Sequence, residues 1–66
     1  MPIVRVEMWA GRPAEFKAVL AKEITEVVAR RVGCEPGAVP VIVDEVPKEN
    51  WSIGGVPCTE LFKGVA

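Results

Sequence analysis

The chain opens on alternation. In Ile3-Val4-Arg5-Val6-Glu7-Met8-Trp9, apolar and charged side chains alternate among β-branched and aromatic residues, the period of a strand. Val4, Val6 and Met8 fall on one face, and Ile3, Arg5, Glu7 and Trp9 on the other. The mixed second face predicts partial cover by a partner subunit. Ala10-Gly11-Arg12 breaks the pattern, and the period then becomes helical. Phe16, Leu20, Ile24, Val27, Val28 and Val32 recur at spacings of three and four. They predict a helix from Pro13 to Val32, with Pro13 at its first position, where a missing N–H costs nothing. Glu15 near the start and Arg30 and Arg31 near the end complement the helix dipole, and Glu26 and Arg30 are spaced to pair. Gly33 is a stop signal, and Pro36-Gly37 marks a turn.

Val39-Pro40-Val41-Ile42-Val43-Asp44-Glu45-Val46 reads as a second strand, apolar enough to be covered on both faces. Pro40 donates no ladder hydrogen bond, so it belongs at the strand's start or on an unpaired edge. Strand, helix, strand predicts a parallel pair with a right-handed crossover. Pro47-Lys48-Glu49-Asn50 is a loop, and Trp51-Ser52-Ile53-Gly54-Gly55-Val56 predicts a short hairpin bent at Gly-Gly. The expected fold is α+β: a small β-α-β protomer with a two-stranded parallel sheet and a short C-terminal hairpin. It forms one domain, 1–66, with a core at 2–56 and a mixed tail at 57–66, where Leu61 and Phe62 suit an apolar anchor. Two strands and one helix leave a sheet face bare, which predicts self-association.

Composition sharpens that expectation. A chain of 66 residues buries only about 60% of the surface its unfolded form exposes. With 50% hydrophobic residues, part of the apolar surface is expected to meet another subunit. Cys34 and Cys58 make at most one disulfide, and the absence of His argues against structural zinc. A net charge of −1 with interspersed signs argues against nucleic-acid and membrane-surface partners. No apolar run approaches the roughly 18 residues a membrane span requires. The N-terminus lacks the basic-then-apolar form of a signal peptide, so a cytoplasmic protein is expected.

The missing residue types limit the chemistry. The chain has no His, Tyr or Gln, and Ser52 is its one serine, so neither a Ser-His-Asp nor a Cys-His arrangement can be built. The remaining bases are carboxylates, lysines such as Lys48, the two thiols and the N-terminal amine. Removal of Met1, which a small second residue permits, would turn the Pro2 ring nitrogen into a free secondary amine. An apolar pocket and a nearby arginine both disfavour its charged form, leaving a base suited to neutral pH. Arg12, between the first strand and the helix, can present its guanidinium to a carboxylate, although such arginines more often simply face solvent. Trp51, beside the Gly-Gly turn, suits either a pocket wall or a subunit interface.

Taken together, Met1-Pro2-Ile3-Val4, Gly11-Arg12 after the first strand, the long helix and the run from Glu45 to Val56 resemble the 4-oxalocrotonate tautomerase family. The resemblance covers about residues 2–56. It implies a hexamer of β-α-β protomers, a trimer of dimers, catalysing cofactor-free enol–keto tautomerisation of small unsaturated 2-oxo acids, chemistry suited to the degradation of aromatic compounds. By position it implies Pro2 as general base, Arg12 as carboxylate anchor and Trp51 as the aromatic pocket wall. Trp9 stands where an aliphatic pocket residue is expected and narrows the cavity, and Ile53-Gly54-Gly55 match the hairpin that packs on a neighbour. The chain departs from the family at Pro40, where members carry a second arginine that polarises a substrate oxygen. Loss of one such donor costs roughly a hundredfold in rate. Arg5 or Lys48 from a neighbouring chain, or an arginine from a different subunit in a mixed oligomer, would replace it. The other reading is a weakly active or non-catalytic relative that serves as a structural or binding subunit.

Overall fold

The computed structural model describes residues 2–64. Strand β1, Val4–Trp9, leads into helix α1, Ala14–Val32, and then into strand β2, Val41–Val46. The strands run parallel, in a register that opposes Val4 to Val41, Arg5 to Ile42 and Trp9 to Val46. Strands β3, Ser52–Ile53, and β4, Val56–Pro57, form an antiparallel hairpin, and a short helical turn α2, Cys58–Leu61, follows it. The α+β reading, with its parallel pair and terminal hairpin, is therefore the observed architecture.

Local differences from the sequence expectation have local causes. β2 begins at Val41 rather than Val39 because Pro36–Ala38 close a 3₁₀ turn, in which Val39 donates its N–H to the Pro36 carbonyl at 3.1 Å. Pro40 still takes part as an acceptor, receiving the Val4 N–H at 3.0 Å. It sits just before the strand, where its missing N–H is not needed. Pro13 is the helix cap rather than its first residue, with φ −68° and ψ 157°. Its carbonyl accepts the Phe16 N–H at 3.1 Å. At the other end the Gly33 N–H returns to the Ala29 carbonyl at 2.8 Å. The 47–50 loop contains a 3₁₀ turn, Lys48–Asn50. Gly54 and Gly55 take φ of 60° and 82°, the consecutive left-handed pair that a two-residue hairpin requires and that glycine adopts without a Cβ clash. Among the described residues no Glu26–Arg30 ion pair forms within 4 Å. Holding two exposed side chains together costs more rotamer entropy than a screened pair returns.

The protomer has almost no interior of its own. Only Ala29, Val39 and Cys58 are buried hydrophobics among the described residues. α1 covers one sheet face, half-burying Val4, Val6, Val41 and Val43, while Arg5, Glu7, Ile42 and Asp44 point away. β2 is thus covered on one face within the protomer, not both, and Ile42 is 40% exposed. The helix stripe divides in the same way. Leu20, Ile24 and Val28 are half-buried, whereas Phe16, Val27 and Val32 are exposed. The radius of gyration is 14.8 Å, with extents of 42 × 25 × 14 Å. A compact chain of this length would have about 11 Å, so the excess measures an open, slab-like unit with apolar surface on both sides. Among the described residues no helix is long and apolar enough to cross a membrane.

Candidate functional site

The two parallel strands end side by side, and the chain turns there twice. β1 runs into Ala10-Gly11-Arg12-Pro13, and β2 runs into Pro47 and the Lys48–Asn50 turn. Between these turns lies a cleft of about 440 Å³ lined by Met8, Trp9, Gly11, Arg12, Pro13 and Lys48. The carboxyl ends of parallel strands are where crossover connections leave such a crevice open.

Trp9 walls the cleft and carries an aromatic cluster behind it. Trp9 meets Trp51 edge to face, with ring centroids 6.3 Å apart, and meets Phe62 at 5.2 Å and a 56° tilt. Such pairs contribute roughly 0.5–1.5 kcal/mol each beyond the area they bury. The hairpin and α2 are tied to this wall because the Cys58 N–H donates to the Trp51 carbonyl at 2.8 Å, with Cys58 fully buried beneath. Phe62 thus anchors the C-terminal segment on Trp9.

Two cations flank the wall. The Arg12 guanidinium lies 5.1 Å from the centroid of Phe16, and the Lys48 Nζ lies 4.7 Å from the centroid of Trp9. Among the described residues neither has a carboxylate partner within 4 Å; the ion pairs there are Arg5–Asp44, Lys17–Glu45 and Lys63–Glu60. Cationic groups held on aromatic faces beside an apolar wall favour an anionic, planar guest.

Glu45 fixes the loop that carries Arg12. Its Oε2 accepts the Gly11 N–H at 3.1 Å, and its Oε1 accepts from the Lys17 ammonium. The Lys17 bond, followed by the Gly11 N–H, holds this carboxyl below the usual carboxylate range, with a smaller contribution from the Arg12 N–H. Gly11 has φ +118°, a conformation in which any Cβ is strained. The carboxylate therefore secures a turn that only glycine makes easily. Sequence reasoning missed Glu45 and Lys17. The signal available was a carboxylate near the end of β2 at a sheet-facing position shared with Val41 and Val43, and a lysine four residues before Ala21 and seven before Ile24, on the sheet-facing side of α1.

Of the candidate residues, the structure brings Arg12, Trp9 and Trp51 to one end of the strands. Pro2 lies at the other end, ahead of Val4. The five steps from Val4 to Trp9 span roughly 17 Å at strand rise, so Pro2 does not reach the cleft of its own chain. Met1 lies outside the described residues. Among the described residues there is no cluster of His, Cys, Asp and Glu able to hold a metal.

The site is thus an open crevice at one end of a β-α-β scaffold, with Trp9 in its lining and, among the described residues, two cations without carboxylate partners. Comparison with known proteins then supplies the family. The model of the family described as "Tautomerase enzyme" matches residues 2–61. The chain is 46% identical over 51 residues to a probable tautomerase of Streptococcus pneumoniae serotype 4, covering 77% of this chain and 85% of that one. It is 38% identical over 61 residues to the 2-hydroxymuconate tautomerase of Comamonas testosteroni, covering 92% and 97% respectively. Its fold is similar to a chain of the heterohexamer 4-oxalocrotonate tautomerase of Chloroflexus aurantiacus, with a TM-score of 0.86, 34% identity and coverage of 92% and 98%. The chain belongs to the tautomerase family and is an isomerase.

Proposed function

We propose that this chain catalyses cofactor-independent enol–keto proton transfer on a small unsaturated 2-oxo acid, at sites shared between copies of the protomer. A neighbour's Pro2, freed of Met1, enters the cleft lined by Arg12 and Trp9, with Trp51 packed against Trp9. Arg12 takes the substrate carboxylate. The two indoles exclude water, and that desolvation, together with the Arg12 charge, keeps the Pro2 nitrogen unprotonated. The nitrogen accepts the enol proton and returns it to a carbon of the conjugated chain, so the substrate leaves as the keto isomer with no net loss of atoms or electrons. Positioning a weak base against a fixed anion is enough for such a reaction.

The observation that carries this reading is the separation itself. The cation-and-indole cleft and Pro2 lie at opposite ends of a protomer whose sheet and helix both leave apolar surface uncovered. Association buries that surface and brings the two ends together. The resemblance to the Comamonas enzyme supports a 2-hydroxydienoate substrate. The resemblance to a heterohexamer supports a six-chain assembly, built of this chain or of two kinds of chain. The free thiols of Cys34 and Cys58 fit a reducing, cytoplasmic setting, and no nucleic-acid or membrane partner is proposed.

Pro40 favours a second reading, a weakly active subunit of a mixed oligomer, because it offers no donor where the family places an arginine. One experiment separates the two. Protein whose intact mass confirms a Pro2 start is assayed for ketonisation of 2-hydroxymuconate and phenylenolpyruvate, alongside Pro2→Ala. Turnover lost in Pro2→Ala supports the enzyme. Inert protein that starts at Pro2 refutes catalysis by this chain alone.

A further inference from the structure

The cleft holds one cation that the reaction above does not use. Lys48 opens the 3₁₀ turn after β2, where the Asn50 N–H bonds the Pro47 carbonyl at 2.9 Å and the Trp51 N–H bonds the Lys48 carbonyl at 3.1 Å. This local bonding, rather than a salt bridge, sets the direction of the side chain. Lys48 is half-buried, its Nζ 4.7 Å from the Trp9 centroid. The acids nearest in sequence do not neutralise it. Glu45 is engaged by Lys17 and Gly11, and among the described residues Glu49 makes no ion pair. An ammonium on an indole face has lost part of its water shell for a modest attraction, so an arriving anion has more to offer it than the ring does.

Arg12 stands in the same way over Phe16 and lines the same cleft of about 440 Å³ from the other turn, the one that follows β1. A guest with one carboxylate would satisfy one of these cations and leave the other beside an apolar wall. A guest with an anion at each end of a short planar chain would satisfy both. We propose that Lys48 is the second anion anchor of this cleft, so that together with Arg12 it selects conjugated acids bearing two anionic groups over those bearing one. The proposal rests on the cleft being the substrate site, and it assigns to Lys48 the recognition of the end of the guest remote from Arg12. Arg12 offers a planar fork for one carboxylate. Lys48 offers a point charge on a flexible stem, which tolerates variation in where the second anion lies.

Binding of trans,trans-muconate and of sorbate, measured by calorimetry, tests this without requiring turnover. The two anions share a six-carbon conjugated chain and differ by one carboxylate. The wild-type protein should bind muconate at least tenfold more tightly than sorbate, as expected for a charged hydrogen bond gained. Lys48→Met keeps the stem on Trp9 and removes the charge. It should abolish that preference while leaving sorbate affinity within about threefold and lowering the melting temperature by no more than about 4 °C. Lys48→Arg should retain the preference, and Arg12→Ala should weaken both ligands. Equal binding of the two anions by wild type, no binding of either, or a muconate preference that survives Lys48→Met overturns the proposal. A preserved muconate preference in protein that turns over no enol supports the anchor and counts against the tautomerase reading alone.

Discussion

Arg12→Ala tests the cleft most cleanly, because the structure predicts where its cost falls. Among the described residues the guanidinium has no carboxylate partner, so truncation strands no buried charge. What the protomer loses is the stacking on Phe16 at 5.1 Å, about 0.5 kcal/mol for an exposed cation–π contact. For a domain of this size that lowers the melting temperature by only about 2–4 °C. The loss in substrate binding is larger. A charge-assisted hydrogen bond to a carboxylate is worth roughly 1.5–3 kcal/mol, which is about a tenfold to hundredfold fall in kcat/KM. The carboxylate is bound equally in the ground and transition states, so, at a pH high enough to leave Pro2 unprotonated in both proteins, the change should appear in KM with kcat nearly constant. Steady-state ketonisation of a 2-hydroxydienoate, followed by ultraviolet absorbance at several substrate concentrations, measures both parameters. Unchanged kcat/KM would remove Arg12 from the site. A fall in kcat at constant KM would refute the uniform-binding argument and assign Arg12 to the transition state.

Two further outcomes follow from the loop and the open face. Glu45 has a folded-state pKa below its unfolded value, so its contribution to stability is present above the unfolded pKa and lost as pH falls through the folded one. Thermal melts across the acid range should show the wild type losing its advantage over Glu45→Gln as the pH drops; a difference independent of pH would contradict this role. Ile42, 40% exposed in the protomer, lies on the face proposed to be covered in the assembly, where an unpaired carboxylate costs several kcal/mol. Ile42→Asp should therefore dissociate or unfold the protein in sedimentation at micromolar concentration, and an intact oligomer would move the interface elsewhere.

Much of the fold was legible because local chemistry and global architecture agree. The switch from alternation to a three-and-four spacing at Gly11-Arg12 marks the end of β1, Gly33 ends α1, and Gly54-Gly55 make the hairpin turn. Where the reading slipped, a backbone hydrogen bond decided matters that side-chain pattern does not encode. Val39 looks like strand but closes a 3₁₀ turn, and Pro13 caps the helix from outside it. The apolar stripe of α1 is wider than one sheet can cover. The sequence shows that excess, but not which residues turn to the sheet and which remain for a neighbour. Arg12 and Trp51 stood out as candidates beside glycine turns, and Trp9 entered through the family resemblance alone; the structure places all three at one end of the strands. Glu45 and Lys17 escaped because their role depends on a contact between β2 and α1 that spans 28 residues. Phe62 was expected to find an apolar anchor, but only the folded hairpin identifies it as Trp9.

The central claim concerns one nitrogen, and NMR can observe it directly. Protein labelled with ¹⁵N at proline, and shown by intact mass to begin at Pro2, should be titrated while its ring nitrogen is followed. The account predicts that this amine loses its proton well below the range of an ordinary secondary amine in water, and that the depression shrinks in Arg12→Ala. A nitrogen that titrates as a solvated amine would, instead, contradict the proposed chemistry.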